Sequence, residues 1–330
     1  MRSTTAAVSL AALALIGLMG WLLGRQGVKG DASRLADYAR EAHVAPTRLL
    51  VDGARTHRIV VLGDVAGSSA AKRIAADAVR AVALGPGLDA VLLEVPSNLQ
   101  PDIDAYLDTR PEAASILLAH PGLLPGTAAD DYLRIYRQVW QLNQQLGADR
   151  MIRIVAAAPA ETPAGRARAP RAAAVAVAQL QDTMAATLEN AVFSRDPKAR
   201  VLVFADGYSA LRGGQGLLVV GGGAPVQVHW LAAQLADRYP GEVYSVLQDG
   251  PPAAAGGALA GRYTGTRAYG VFRDAAGGLA SPYGLPVGEH FDFLRQPVRE
   301  NAVPGTSLDL RPADYRLSDV ADGYIYLGPH

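Results

Sequence analysis

The chain has 330 residues, half of them apolar, and its 31 basic side chains are matched by 31 acidic ones. That length fits one large domain or two ordinary ones, and the neutral balance excludes an electrostatic nucleic-acid binder, which needs a basic surplus. Cysteine is absent, which excludes disulfides, iron–sulfur clusters, thiolate zinc sites, a cysteine nucleophile and a lipid-modified cysteine anchor.

The first residues read as an export segment. Arg2 precedes an apolar run from Ala6 to Gly24, closed by Arg25 and Lys29, with Trp21 near one end. A run of roughly 17–25 apolar residues crosses a bilayer, and aromatic side chains gather at its interfaces. The competing reading is a cleaved signal peptide, but no small-x-small site follows Gly24. Residues 1–28 are therefore expected to form an uncleaved transmembrane helix and its flank. Residues 29–330 are expected to form a single α/β domain held in the periplasm by a bacterial inner membrane, which is the only partner the sequence points to.

Beyond the anchor, Asp31–His43 reads as a short amphipathic helix and Leu49–Asp52 as a short strand before a turn at Gly53. Ile59–Leu62 is a continuous apolar β-branched run, as in a strand covered on both faces. Ser68 and Ser69 can cap the helix Ala70–Leu84, which Gly85-Pro86-Gly87 ends. Ala90–Val95 is a second buried strand, so strand, helix and strand follow with a short crossover, the mark of a parallel sheet. Helices are expected over Asp102–Leu107, Glu112–Ala119 and Asp130–Leu146, and a third strand over Ile152–Ala156. A low-complexity loop near 159–171 precedes a long helix, Ala172–Val192, and a fourth strand, Val201–Ala205. Gly213–Pro225 is glycine-rich around a small apolar run. Val226–Tyr239 reads as a helix, Glu242–Leu247 as a fifth strand and 251–262 as a second low-complexity loop. Phe291–Leu294 and Tyr324–Leu327 are strand-like. The pattern specifies a doubly wound, mostly parallel sheet with helices on both faces.

Two strands share one shape: an apolar run that delivers a carboxylate at its C-terminal end, followed by a glycine turn. They are Arg58–Gly67, with Gly63 and Asp64, and Arg200–Ala210, with Asp206, Gly207 and Tyr208. Open α/β sheets bind ligands at that edge. Glu94 ends the second strand, and Asp182 lies on the long helix before the fourth. Converging carboxylates can ligate a hard cation or split their pKa values for acid–base work. Equally, they can cap helix N-termini or pair with arginines such as Arg58, Arg153 and Arg212. His57, His120, His229, His290 and His330 show no metal-binding spacing. Gly221-Gly222-Gly223 lacks the lysine and hydroxyl of a P-loop, Gly63–Gly67 lacks dinucleotide spacing, and Ser209 falls short of GxSxG.

The order of these motifs resembles the superfamily of erythromycin esterase-like proteins, ChaN-like haem-binding lipoproteins and the Tiki and TraB proteins. Its opening Leu-Gly-Glu-x-His-Gly is Leu62-Gly63-Asp64-Val65-Ala66-Gly67 here. Its strand ending in glutamate and the following Gln-x-x-Leu/Ile-Asp-x-Tyr-Leu are Leu93-Glu94-Val95-Pro96 and Gln100–Leu107. Its acidic residue before Met-Ala is Asp182, its Gly-x-x-His is Gly207-Tyr208-Ser209-Ala210, and its Val-x-Ser-Ile strand is Val243–Val246. The resemblance implies that in the active relatives the two histidines serve metal binding or proton transfer. Both are alanine here, Ala66 and Ala210. The expectation is a catalytically degenerate, membrane-anchored binding or scaffold protein that needs no cofactor. Two alternatives stay open: a metal-assisted hydrolase using the carboxylates, and binding of haem or another small ligand, with Tyr106, Tyr136 and Tyr208 available as axial groups.

Overall fold

The computed structural model describes residues 34, 36–65, 67–125, 129–147, 150–160, 170–213, 215–220, 225–250, 279–288, 299–300, 306–311 and 317–328. The expected anchor, both low-complexity loops, Ala66, His290, His330 and the Phe291–Leu294 run fall wholly or mainly outside them. No helix among the described residues is long and apolar enough to cross a membrane.

Seven strands form the main sheet in the order β3-β2-β4-β1-β7-β11-β8. They are β1 Ile59–Asp64, β2 Ala90–Pro96, β3 Arg153–Ala158, β4 Val201–Asp206, β7 Val243–Asp249, β8 Tyr283–Pro286 and β11 Gly323–Tyr326. All neighbours run parallel except β8, which is antiparallel to β11. The central strands are apolar on both faces because both are covered. Along β1, Ile59 and Val61 enter one buried cluster while Val60 and Leu62 enter the other. One face is covered by the helices Pro46–Thr56, Ser69–Leu84 and Ala129–Gln145, the other by Pro170–Leu188 and Leu231–Arg238.

Several element boundaries differ from the sequence reading. Leu49–Asp52 is not a strand but the middle of the helix Pro46–Thr56, which begins with proline at its first turn. Proline suits that position, because its missing N–H has no helical partner there in any case. Val226–Tyr239 divides into a three-residue strand, β6 (Val226–Val228), and the helix Leu231–Arg238, so His229 lies between elements. The glycine-rich stretch before it holds β5 (Gln215–Val220), which pairs antiparallel with β6 and with β10 (Thr306–Arg311). With β9 (Arg299–Glu300) these make a second sheet of order β6-β5-β10-β9. β5 and β6 are near neighbours in sequence, but β9 and β10 come only after β7 and β8 of the main sheet, so local pattern does not announce the whole of it.

The connections after β1 and β4 leave on opposite faces. The chain passes from β1 through Ser69–Leu84 on one face, and from β4 to Leu231–Arg238 on the other. β1 and β4 are neighbours, so this is a topological switch point, where open α/β sheets leave a crevice at the carboxyl ends of their strands.

Candidate functional site

Asp64 and Asp206 are direct register partners at the ends of β1 and β4. Neighbouring strands lie about 4.8 Å apart, and residues two apart share a face. Leu62 and Phe204, the preceding residues on that face, belong to the same buried cluster as Tyr132. Both aspartates thus rise on the Tyr132 side. Glu94 joins them from β2, where the pairing with β3 shifts register between Leu93 and Pro96. Its Oε2 accepts the backbone N–H of Asp206 at 2.8 Å. A side-chain acceptor takes over where the β2–β4 ladder, which ends at Leu93 and Phe204, stops.

These three carboxylates line a cleft of about 120 Å³ together with Pro125, Tyr132, Phe204 and Ala205. Tyr132 and Phe204 are tilted against each other with ring centres 6.0 Å apart. The sequence reading missed Tyr132, and it missed Lys72 entirely. Lys72 lies on the buried stripe of Ser69–Leu84 between Ala71 and Ile74, and its side chain is 1% exposed. Its Nζ donates to both oxygens of Asp64 at 2.8 Å and to the carbonyl of Val65 at 2.9 Å. An ammonium has three N–H donors, so Lys72 has none left. A signal for it was present: arginine is the usual cation here, and a lysine set among alanines on an apolar stripe needs a buried anion.

Burial raises the Asp64 carboxyl, against the opposing pull of Lys72. Glu94 is pushed up to about 8, first by burial and then by the Asp206 carboxylate, with Asp64 adding to it. Burial also holds the Tyr132 phenol well above its ordinary range. At neutral pH the cleft therefore carries a protonated glutamic acid and a neutral phenol, both able to donate hydrogen bonds, beside the aspartates.

The other expected site residues lie elsewhere. Asp206 also acts as an N-cap, its Oδ1 accepting from Tyr208 N at 3.0 Å. Gly207, Tyr208 and Ala210 are buried in the turn that follows. Tyr208 and Ala210 belong to the apolar cluster on the opposite face, where Tyr208 stacks on Trp230 at 5.2 Å. Ala210 is fully buried, and a Cβ built on Gly63 would stand 3.1 Å from the Cβ of Ala210 and 3.0 Å from Gly207 Cα. Glycine at 63 is what allows that turn to settle on β1. Asp182 is exposed and accepts from Gln234 Nε2 at 2.9 Å, on a helix of the opposite face, so it does not join the cluster. Nor do the arginines: Arg58 pairs with Glu242, Arg212 with Asp322, and Arg153 donates to the carbonyl of Ala191.

Among the described residues the imidazoles are engaged away from the cleft. His43 contacts the Arg40 carbonyl and His57 that of Gly53, while His120 faces Asp102 and His229 faces Asp237. Among the described residues no three His, Asp or Glu side chains take up a metal-holding arrangement, and the Lys72 ammonium sits against both Asp64 oxygens, where a second cation would be repelled. Haem finds no axial group in two of the tyrosines considered. Tyr106 donates to Glu112 and Tyr136 to the Leu123 carbonyl.

No family model matches the chain, and no curated protein matches it. Solved structures do. A histidine-to-asparagine mutant of an erythromycin esterase in its open conformation aligns with TM-score 0.51 over 84% of this chain and 91% of its own, at 9% identity. The chain has the erythromycin esterase fold. A succinoglycan biosynthesis protein aligns with TM-score 0.57, and a protein from Bacillus cereus with TM-score 0.56. Each covers 90% of this chain and 97% of its own, again at 9% identity. At that identity the likeness is one of fold. It agrees with the motif order in the sequence, and it brings no residue roles with it.

Proposed function

We propose that the chain is a membrane-tethered, extracytoplasmic binding protein on the erythromycin esterase fold, its cleft kept for recognition and its hydrolytic chemistry lost. The observation that carries this reading is Lys72. All three of its N–H groups go to Asp64 and Val65. The first acidic residue of the inherited motif is thereby held as half of an internal ion pair. Hydrolysis needs a nucleophile within reach of a base. Here the residue matching the second family histidine is Ala210, buried on the other face of the sheet. What remains in the cleft is a protonated acid, a phenol and an aromatic wall, a set suited to holding a small polar ligand. The apolar run Ala6–Gly24 supports the tether.

One observation favours a second reading, acid–base hydrolysis without a metal. A glutamic acid with a pKa raised to about 8 in a cleft is suited to general acid work. The two readings part on turnover. If the purified full chain hydrolyses a panel of ester, lactone and peptide substrates well above an Asp64→Ala/Glu94→Ala double variant, the binding-only reading is wrong. Equal background rates support it.

A further inference from the structure

A second concavity lies between the exposed faces of the Ser69–Leu84 and Ala129–Gln145 helices and shares no residue with the acidic cleft. It has a volume of about 240 Å³, and its lining includes Arg73, Asp77, Arg134, Arg137 and Gln138. Three guanidinium groups thus face one carboxylate. Ala76, a small side chain in the same lining, leaves the space between them open.

The arginines are held in a way that leaves donors to spare. Arg134 donates through Nε to Asp131 at 3.0 Å, and Arg137 through Nε to Glu112 at 2.8 Å. Asp131 and Glu112 are not part of the lining, so each acid fixes its arginine while the terminal N–H pairs stay unspent. Arg73 stands 3.8 Å from Asp131, too far for a hydrogen bond. Gln138 supplies a further clue. Its Nε2 is shut off from solvent and has no hydrogen-bond partner among the described residues, while its side chain lines the groove. A turn of the amide would bring this unsatisfied donor to an acceptor beside the unspent guanidinium groups.

We propose that this groove binds a phosphate ester carrying a neighbouring hydroxyl. Arginine forks match phosphate oxygens in bidentate geometry. Gln138 Nε2 gives one more donor, and Asp77, the single acid in the lining, accepts the hydroxyl. The same chemistry is offered by a soluble glycerol phosphate and by a glycerophospholipid headgroup.

The test is calorimetric titration of the full chain in neutral detergent micelles with glycerol 3-phosphate. Saturable binding is expected, weakened about tenfold or more in Arg134→Gln/Arg137→Gln and several-fold in Gln138→Leu. Asp77→Asn should abolish the preference for glycerol 3-phosphate over inorganic phosphate. Melting curves confirm that each variant is folded, and Gln138→Leu stands as an independent probe should the double arginine variant fail. Doping the micelles with phosphatidylglycerol distinguishes the sources: loss of the glycerol 3-phosphate signal points to a headgroup, and an unchanged signal to a soluble ester. No saturable binding by the folded chain up to about 1 mM, or equal affinity in the folded variants, overturns the proposal.

Discussion

At the scale of single residues, the cleft rests on one buried cation. Lys72 is almost wholly inaccessible, while the Asp64 side chain is 19% exposed. Removing one partner of such a pair leaves an uncompensated buried charge and costs about 3 kcal/mol or more. Lys72→Met should lower the unfolding free energy from urea denaturation by about that amount, and adding Asp64→Asn should recover most of it. Glu94 gives a pH dependence of definite sign. Its ordinary value is 4.5 and its folded value about 8. Between those values the folded state holds a proton that the unfolded chain has released, so stability falls as pH rises through that window and levels off above it. Glu94→Gln keeps an acceptor for the Asp206 N–H. It should flatten this slope and raise the Tm at pH 8 above that of the wild type, as scanning calorimetry at several pH values can check. Ala210→His, which rebuilds the Gly-x-x-His pattern at this turn, should give no hydrolysis. Ala210 is fully buried and its carbonyl accepts from Ser245 Oγ. The larger ring must overpack the turn, with an expected loss of about 1–3 kcal/mol on unfolding and no gain in hydrolysis.

At the scale of elements, what the sequence made legible was what local chemistry controls. Ser68 as a cap is one case: its Oγ accepts from Ala71 N at 3.3 Å, and the helix ends at Gly85 as expected. Ser68→Ala should cost about 1 kcal/mol, read from chemical denaturation. The parallel strands were legible for a similar reason, since a strand covered on both faces is a continuous apolar run. Leu49–Asp52 departs from the strand expectation because three apolar residues, Leu49 to Val51, fit either a strand or one face of a helix. Pro46 was the cue that decided for the helix. The Val226–Tyr239 segment failed in the reverse direction. Its strand has only three residues and pairs with the nearby β5, and so short a run carries too little alternation to stand out from the helix that follows.

At the scale of the whole molecule, the site was partly legible. Asp64, Glu94 and Asp206 could be placed at one edge because parallel neighbours deliver their C-terminal residues together. That β1 and β4 are neighbours at the switch point could not be read, because strand order depends on non-local pairing. Lys72 leaves only a faint mark in the sequence, a single cation on the apolar stripe of a helix, and its anion is fixed by tertiary packing. Asp182 fits the motif order, but the fold places it across the sheet, bound to Gln234. The proposal that these carboxylates form a binding site without turnover has a direct test. The most direct measurement is hydrolysis by the purified full chain across pH 5–9, run beside Asp64→Ala/Glu94→Ala. Superimposable profiles at the background rate are expected. A wild-type profile with a limb near pH 8 that vanishes in the double variant would contradict it, and would make Glu94 a working acid.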